Sequence, residues 1–226
     1  FTIMQDEFAK AMMGAIVKEP IPGKHNFMCC NDFASLYPST VITCNLSVEN
    51  YMGKDYTEEE LTIFRKDPTY FVSVNNVVYK NDKDYAFRII QSELKANRNV
   101  GKYLSKQLDA LVMKDVDSLL LNKSIKHQSY PDNVIESIHG LGYDIKSTSD
   151  LFGVDLKEFK RILGNEITYL GSFEQGMKLL GNSAYGGSSH IAFFWFNMDL
   201  ANDITGEARN IIHKMESHIP EYLKKA

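Results

Sequence analysis

The sequence predicts an α+β fold, and three features of its 226 residues support that prediction. Short apolar runs of strand length occur in the first third of the chain. Two long patterns with apolar residues at helical spacing follow, joined by a segment that proline and glycine interrupt. A last helical pattern closes the chain. Strands followed by helices, rather than strands alternating with helices, are typical of an α+β protein.

The first third of the chain should contain the strands. Residues 27–30 are an apolar run of strand length, and Pro38 permits a turn or a helix start shortly after it. Residues 57–66 begin with a threonine and three glutamates, which predicts a capped helix with acids in its first turn. Residues 71–74 and 77–79 are separated by an asparagine pair and predict a β-hairpin.

The remainder of the chain should be helical. Apolar residues recur at helical spacing over residues 87–121 and again over residues 156–185. Two long helices with a shorter connection predict an antiparallel helical hairpin. A closing helix is expected over residues 202–218, and we expect Pro220 to end it.

The composition restricts the class of protein only loosely. A net charge of −4 argues mildly against nucleic-acid binding over the whole surface, because phosphate contacts come mainly from Lys and Arg. Residues 95–106, however, contain basic side chains and no acid, which is the local feature that phosphate recognition needs. Three cysteines without CxxC spacing indicate reduced thiols. No apolar run approaches the ~18 residues of a membrane helix.

The most informative segment is residues 32–39, which read Asp-Phe-Ala-Ser-Leu-Tyr-Pro-Ser. Asp32 follows the first apolar run and could bind Mg²⁺, because hard cations prefer oxygen ligands. The backbone N–H groups of Ser35 and Leu36 could hold phosphate oxygens, and Tyr37 adds a flat ring beside them. Taken singly, each of these residues would also suit an ordinary strand end and Tyr-Pro turn.

A second informative segment is residues 178–186, which read Lys-Leu-Leu-Gly-Asn-Ser-Ala-Tyr-Gly. On a helix, Lys178, Asn182 and Tyr185 are spaced i, i+4 and i+7, so they share one face. A cation, an amide and an aromatic ring in that order suit a triphosphate followed by a base and sugar. A solvated lysine and a core tyrosine are the simpler interpretation of each residue alone.

Arg98 and Lys102 form a further pair, spaced i and i+4 on the first long helix. They could reach the same phosphates if the two long helices pack antiparallel. Lys95 and Lys106 continue the stripe, so the spacing alone also suits a solvated basic face.

These segments resemble motifs of family B DNA polymerases. The first matches every fixed position of the pattern D-x-x-S-L-Y-P-S, and the second every fixed position of K-x-x-x-N-S-x-Y-G. Residues 14–20 resemble the lead-in of the T4-like branch of that family. Family members also have an Arg and a Lys that are four residues apart and precede the second motif. Arg98 and Lys102 precede residues 178–186 by a similar number of residues. Family members often have a bulkier residue where Gly181 lies, so we expect a looser turn there.

The resemblance implies a DNA-directed DNA polymerase, which adds dNMP from a dNTP to a primer 3′-OH. Asp32 would be catalytic and ligate two Mg²⁺ ions, and the Phe33 carbonyl would ligate one of them. Tyr37 would lie beneath the incoming sugar and exclude a 2′-hydroxyl by steric repulsion. The resemblance also implies further nucleotide contacts, and it counts Lys178 as catalytic as well. The residues that would make these contacts are Ser35, Leu36, Arg98, Lys102, Lys178, Asn182 and Tyr185.

The resemblance also implies an architecture and partners. Residues 1–86 and 188–226 would belong to the palm, an antiparallel sheet with helices, and residues 87–187 would form the fingers, two long antiparallel helices. The Y-G-D-T-D-S string that gives the family its second catalytic carboxylate does not occur in the 226 residues. We therefore expect this chain to be inactive alone. Implied partners are primer–template DNA, a complementary polymerase chain and a sliding clamp, in the cytoplasm and away from membranes.

Two other interpretations stay open. The chain could be a natural subunit of a split polymerase, or a non-catalytic module that binds nucleotides or nucleic acid. A P-loop NTPase is disfavoured, because no GxxxxGK[ST] string occurs.

Overall fold

A computed structural model describes residues 32–223 and, before them, residues 14, 16, 19, 22–24 and 26. The strand predicted at residues 27–30 lies outside the described residues. The chain forms two compact units: the first takes residues up to 95 and from 180 onward, and the second takes residues 96–179. The palm and fingers boundaries given above remain predictions.

The first unit combines helices with a small sheet, which confirms the α+β prediction. The strands pair antiparallel in the order β1-β3-β2, with Phe71 opposite Tyr79. The elements in chain order are α1 (Leu36–Cys44), β1 (Tyr51–Gly53), α2 (Glu58–Lys66), β2 (Tyr70–Val72) and β3 (Val78–Lys80).

Local sequence explains most of these elements. The predicted capped helix is confirmed as α2: Thr57 Oγ1 accepts from the Glu60 N–H, and the Glu60 carboxylate accepts from the Thr57 N–H. The predicted hairpin is confirmed as β2 and β3, with Asn76 in the left-handed region at φ 61° in its turn. Strand β1 was not predicted, because three residues are too short to show a period.

The second unit is helical. Helix α3 (Ala86–Leu111) begins in the first unit and continues through a π-helical turn (Val112–Val116) into α4 (Asp117–Leu120). Helix α5 (Asp132–Gly140) and a 3₁₀ turn (Thr148–Gly153) lie in the connection to α6 (Leu156–Ser188), which ends in the first unit. Neither α5 nor the 3₁₀ turn was predicted.

Within the second unit, α3 and α6 run antiparallel, as the helical-hairpin prediction required. Arg98 near the start of this part of α3 contacts Glu174 late in α6, whereas Leu108 shares a cluster with Phe159 early in α6. The helices approach closely, since a Cβ at Gly101 would lie 3.0 Å from the Phe173 ring. Buried residues of this core include Leu108, Leu111, Val116, Val134, Ile138, Phe159, Leu163 and Leu170.

The closing helix, α7 (Met198–Leu223), belongs to the first unit and differs from its prediction at both ends. It begins earlier, because the Asn197 side chain accepts the Leu200 N–H and caps the first turn. The prediction that Pro220 ends it was wrong. A proline removes one backbone donor, and here the helical backbone continues for another three residues, to Leu223.

A row of three acids on α7 holds the sheet. Asp203 is fully buried and accepts hydrogen bonds from Ser73 Oγ, Asn75 Nδ2 and Tyr79 Oη, at 2.8, 2.7 and 2.7 Å. One helical turn to either side, Asp199 accepts from Tyr51 and Lys54 of the β1 region, and Glu207 accepts from the backbone N–H of Val74. The helix therefore contacts β1, β3 and the β2–β3 turn through hydrogen bonds.

The core of the first unit is formed by the sheet, α1 and α7, together with the parts of α3 and α6 that belong to this unit. Its buried members are Val41, Leu46, Val77, Tyr79, Phe87, Ala184, Leu200 and Ile204. Among the described residues, none of the helices has the length and apolarity that crossing a membrane would require.

Candidate nucleotide-binding site

The segment of residues 32–39 forms the entry to α1. Ser35 precedes the helix with φ 54° and ψ 53°, a left-handed conformation that is uncommon outside glycine. Its carbonyl accepts the Ser39 N–H at 2.8 Å, which closes the first turn. Pro38 lies in that turn, where a missing N–H is tolerated. Asp32 is exposed just ahead of the helix.

Ser35 and Leu36, whose N–H groups are predicted to hold phosphate oxygens, lie at the start of α1. Leu36 is the first residue of α1 rather than part of a loop. The N–H groups of Leu36 and Tyr37 have no acceptor within the helix, because the first turn of a helix lacks the preceding carbonyls. The start of a helix also favours negative charge. This end of α1 is therefore suited to an anion.

The rings of Tyr37 and Tyr185 stack, with centroids 4.9 Å apart and planes inclined by 24°. Both side chains are half-buried. Burial, followed by the proximity of Tyr37, raises the pKa of Tyr185 to about 12, so its phenol stays neutral at physiological pH. The structure thus brings together one aromatic residue from each of the two sequence motifs.

Helix α6 holds the second motif, with Lys178, Asn182 and Tyr185 all on this one helix. Lys178 and Asn182 are exposed, whereas Gly181 is buried. A Cβ at residue 181 would lie 3.3 Å from Gln91 Oε1, and the Gln91 Nε2 donates to the Gly181 carbonyl at 2.9 Å. Gly181 thus leaves room for the Gln91 side chain, and this contact could not be predicted from the sequence.

The second unit contains three of the predicted cations, and they differ in their surroundings. Arg98 forms a salt bridge with Glu174 at 3.1 Å, and the two side chains are only 18% and 21% exposed. Lys102 and Lys178 are exposed. Helical spacing placed Arg98 correctly on α3, but it could not show that a carboxylate from α6 would engage it.

Lys95 has a partner as well. The spacing alone suited a solvated basic stripe that would include Lys95, but its Nζ donates to Ser39 Oγ at 2.9 Å within the first unit. Ser39 is the last fixed position of the first motif. Helix α3 therefore contacts both motifs: through Lys95 it contacts α1, and through Gln91 it contacts α6.

The donors predicted for magnesium are the Asp32 carboxylate and the Phe33 carbonyl. Both are hard oxygen donors of the type that Mg²⁺ prefers, so the residues fit this ion in kind. In the part of the chain that the structure describes, no group of three or more His, Cys, Asp or Glu side chains gathers as a ready metal centre.

Comparison with known proteins identifies the class. Over 230 residues, covering 94% of this chain, it is 24% identical to the "DNA-directed DNA polymerase" of Escherichia phage RB69. Over 68 residues, covering 29% of this chain, it is 41% identical to the "DNA polymerase" of Archaeoglobus fulgidus. The matches span 24% and 9% of those relatives, so the chain corresponds to a minor part of each.

The family follows from a match over more than half of the chain. The model of "DNA polymerase family B" matches residues 2–131, which include the first motif together with Arg98 and Lys102. The chain belongs to DNA polymerase family B, as the two motifs predicted.

Proposed function

We propose that the protein containing this chain is a template-directed DNA polymerase, which adds dNMP to a primer 3′-OH and releases pyrophosphate. The observation that supports this best is the Tyr37–Tyr185 stack. It joins two motifs that lie far apart in the sequence, and both match polymerase patterns. We place this activity in the cytoplasm, with primer–template DNA as the partner and a sliding clamp as a further one.

In this proposal, the first unit binds the sugar and base of the dNTP. The Tyr37 ring occupies the space that a 2′-hydroxyl would need, and Tyr185 supports that ring from the other face. Asn182 is exposed on α6 one turn before Tyr185 and offers both a donor and an acceptor. The N–H groups at the start of α1 suit a phosphate oxygen.

The cations carried over from the family motifs act on the triphosphate in this proposal. Arg98, Lys102 and Lys178 neutralise charge as pyrophosphate leaves. Lys178 is on the same helix as Asn182 and Tyr185, one helical turn before Asn182. Asp32 and the Phe33 carbonyl would hold Mg²⁺. When bound, that ion would neutralise phosphate oxygens and orient the reacting groups.

Primer extension by the complete protein that contains this sequence tests the proposal. Templated incorporation of dNMP is expected from the wild type and should be abolished in Asp32→Asn. Asp55→Asn, which changes an exposed acid in the same unit, is the matched control and should extend normally. A wild-type protein that extends no primer, or an active Asp32→Asn variant, would contradict the proposal.

We expect the isolated 226-residue chain to bind dNTP weakly but not to extend primers, because its residues supply only one predicted metal-binding carboxylate. A second chain that carries the Y-G-D-T-D-S string should restore synthesis if this is a subunit of a split polymerase. If no such chain restores activity while dNTP binding persists, a non-catalytic binding module would be favoured instead. Robust synthesis by the isolated chain would refute this expectation.

A further inference from the structure

Gln91 is a buried amide between the two polymerase motifs. It lies on α3 within the first unit and is only 1% exposed. Its Nε2 donates to the Gly181 carbonyl at 2.9 Å. A Cβ at residue 181 would lie 3.3 Å from Gln91 Oε1 and 3.7 Å from Pro38 Cγ. Gln91, Gly181 and Pro38 are therefore packed around one point.

The two halves of the Gln91 amide have different surroundings. Among the described residues, its Oε1 atom is buried and accepts no hydrogen bond. A buried acceptor without a donor is unfavourable, and an apolar side chain of the same length would fill the space without it. Stability therefore does not explain a glutamine at this position. What the amide supplies is a directional N–H aimed at the backbone of α6.

The position of that hydrogen bond matters because of its neighbours. Pro38 directly follows Tyr37, and Tyr185 lies one helical turn beyond Gly181. A shift between α1 and α6 at this point would change the separation of the two stacked rings. Lys95, one turn after Gln91 on α3, holds Ser39 in the same way. The start of α1 and this turn of α6 are thus both attached to one face of α3.

We propose that Gln91 is a positioning residue for sugar selection: its amide holds α6 at Gly181, so that Tyr185 keeps Tyr37 where a ribose 2′-hydroxyl would clash. Gln91 itself does not touch the nucleotide. This inference rests on the proposed function, since it concerns selection of deoxynucleotides by a polymerase. It also accounts for a glycine at position 181, because a Cβ there would crowd Gln91 Oε1.

The test is Gln91→Met in the complete protein, because methionine keeps the length and volume but removes the amide. The discrimination between dNTP and rNTP, measured as the ratio of their kcat/KM values, should fall about fivefold, the effect of losing one net hydrogen bond. The KM for dNTP should rise while kcat changes little. Thermal stability should stay close to that of the wild type, because the unpaired oxygen is removed together with the hydrogen bond. Gln107→Met, the same change further along α3, is the matched control.

A second variant approaches the contact from the opposite side. Gly181→Ala should lower discrimination in the same direction, by pressing a methyl group against Gln91 Oε1. If the two residues act as one unit, the double variant should lose less than the sum of both single effects. Additive effects would contradict a shared contact.

The outcomes separate this inference from the proposed function. An active wild type whose dNTP/rNTP ratio is unchanged in Gln91→Met, or falls equally in Gln107→Met, would overturn the inference and leave the polymerase proposal intact. A wild type without primer extension would overturn the polymerase proposal. Crystal structures of the wild type and of Gln91→Met test the positioning role independently of activity. If the Tyr37 and Tyr185 rings keep their 4.9 Å separation in Gln91→Met, the positioning role is refuted.

Discussion

The ring of Tyr37 lies against the ring of Tyr185, with centroids 4.9 Å apart, although the two residues are far apart in the sequence. Tyr37 is in the first turn of α1 and Tyr185 is in the last turns of α6. A stacked pair of this kind fixes each ring more firmly than either would be fixed alone. Rigidity is what steric exclusion of a hydroxyl group requires.

Tyr37→Ala should relax discrimination against ribonucleotides, because it removes the ring that would clash with a 2′-hydroxyl. The ratio of kcat/KM for dNTP to that for rNTP should fall by roughly tenfold or more, the range typical of one group rejected by shape. Tyr37→Phe keeps the ring and should retain most of the discrimination. Steady-state incorporation kinetics measure both. An unchanged ratio in Tyr37→Ala would refute the steric role.

Glu174→Gln should strengthen dNTP binding. Glu174 engages Arg98 at 3.1 Å with both side chains largely shielded from water, so its charge opposes the approach of a triphosphate. We expect KM for dNTP to fall severalfold, and Arg98→Gln to raise it. Glu166→Gln, on the same helix, is the control and should have little effect. A higher KM in Glu174→Gln would mean instead that Glu174 orients Arg98 for its contact.

The sequence was most informative where structure is local. The period of 3.6 residues identified α3 and α6, and the Thr57–Glu60 capping box identified α2. The site residues could be assigned to elements for the same reason. The partners could not, because Glu174 meets Arg98, and Gln91 meets Gly181, only through packing of α3 against α6. Neither partner belongs to a local pattern, so no spacing rule reveals it.

The row of acids on α7 should make stability depend on pH. Burial raises the pKa of Asp203 from 3.8 to about 6, although hydrogen bonds from Tyr79, Asn75 and Ser73 partly offset that effect. A raised carboxyl pKa means that the folded chain binds a proton that the unfolded chain has lost. The associated stability is therefore fully present below pH 3.8 and is lost as the pH rises through about 6.

Asp203→Asn tests this pH dependence, because asparagine keeps an acceptor but does not titrate. Between pH 4 and 7, the free energy of unfolding of the wild type should fall relative to that of the variant, by roughly 3 kcal/mol for a shift of this size. Urea unfolding at several pH values measures the difference. Parallel curves for the two proteins would show that Asp203 does not titrate in this range.

Gly206→Ala should destabilise the first unit, because α7 approaches the hairpin turn closely at this glycine. A Cβ there would lie 2.9 Å from Val74 Cγ2 and 3.1 Å from Asn75 Nδ2, the side chain that also donates to Asp203. Since overpacking of this kind forces neighbours to shift, the expected loss is about 1–3 kcal/mol.

Gly164→Ala is the matched control for Gly206→Ala, because it is also within a helix but has nothing within 4 Å of the added methyl group. It should be neutral or stabilising by up to about 1 kcal/mol, since alanine favours helix. Thermal or urea unfolding of both variants gives the comparison. If Gly206→Ala were as stable as Gly164→Ala, the β2–β3 turn would be able to move away from α7 without a loss of stability. The hydrogen bonds to Asp203 would then not be what holds this turn against α7.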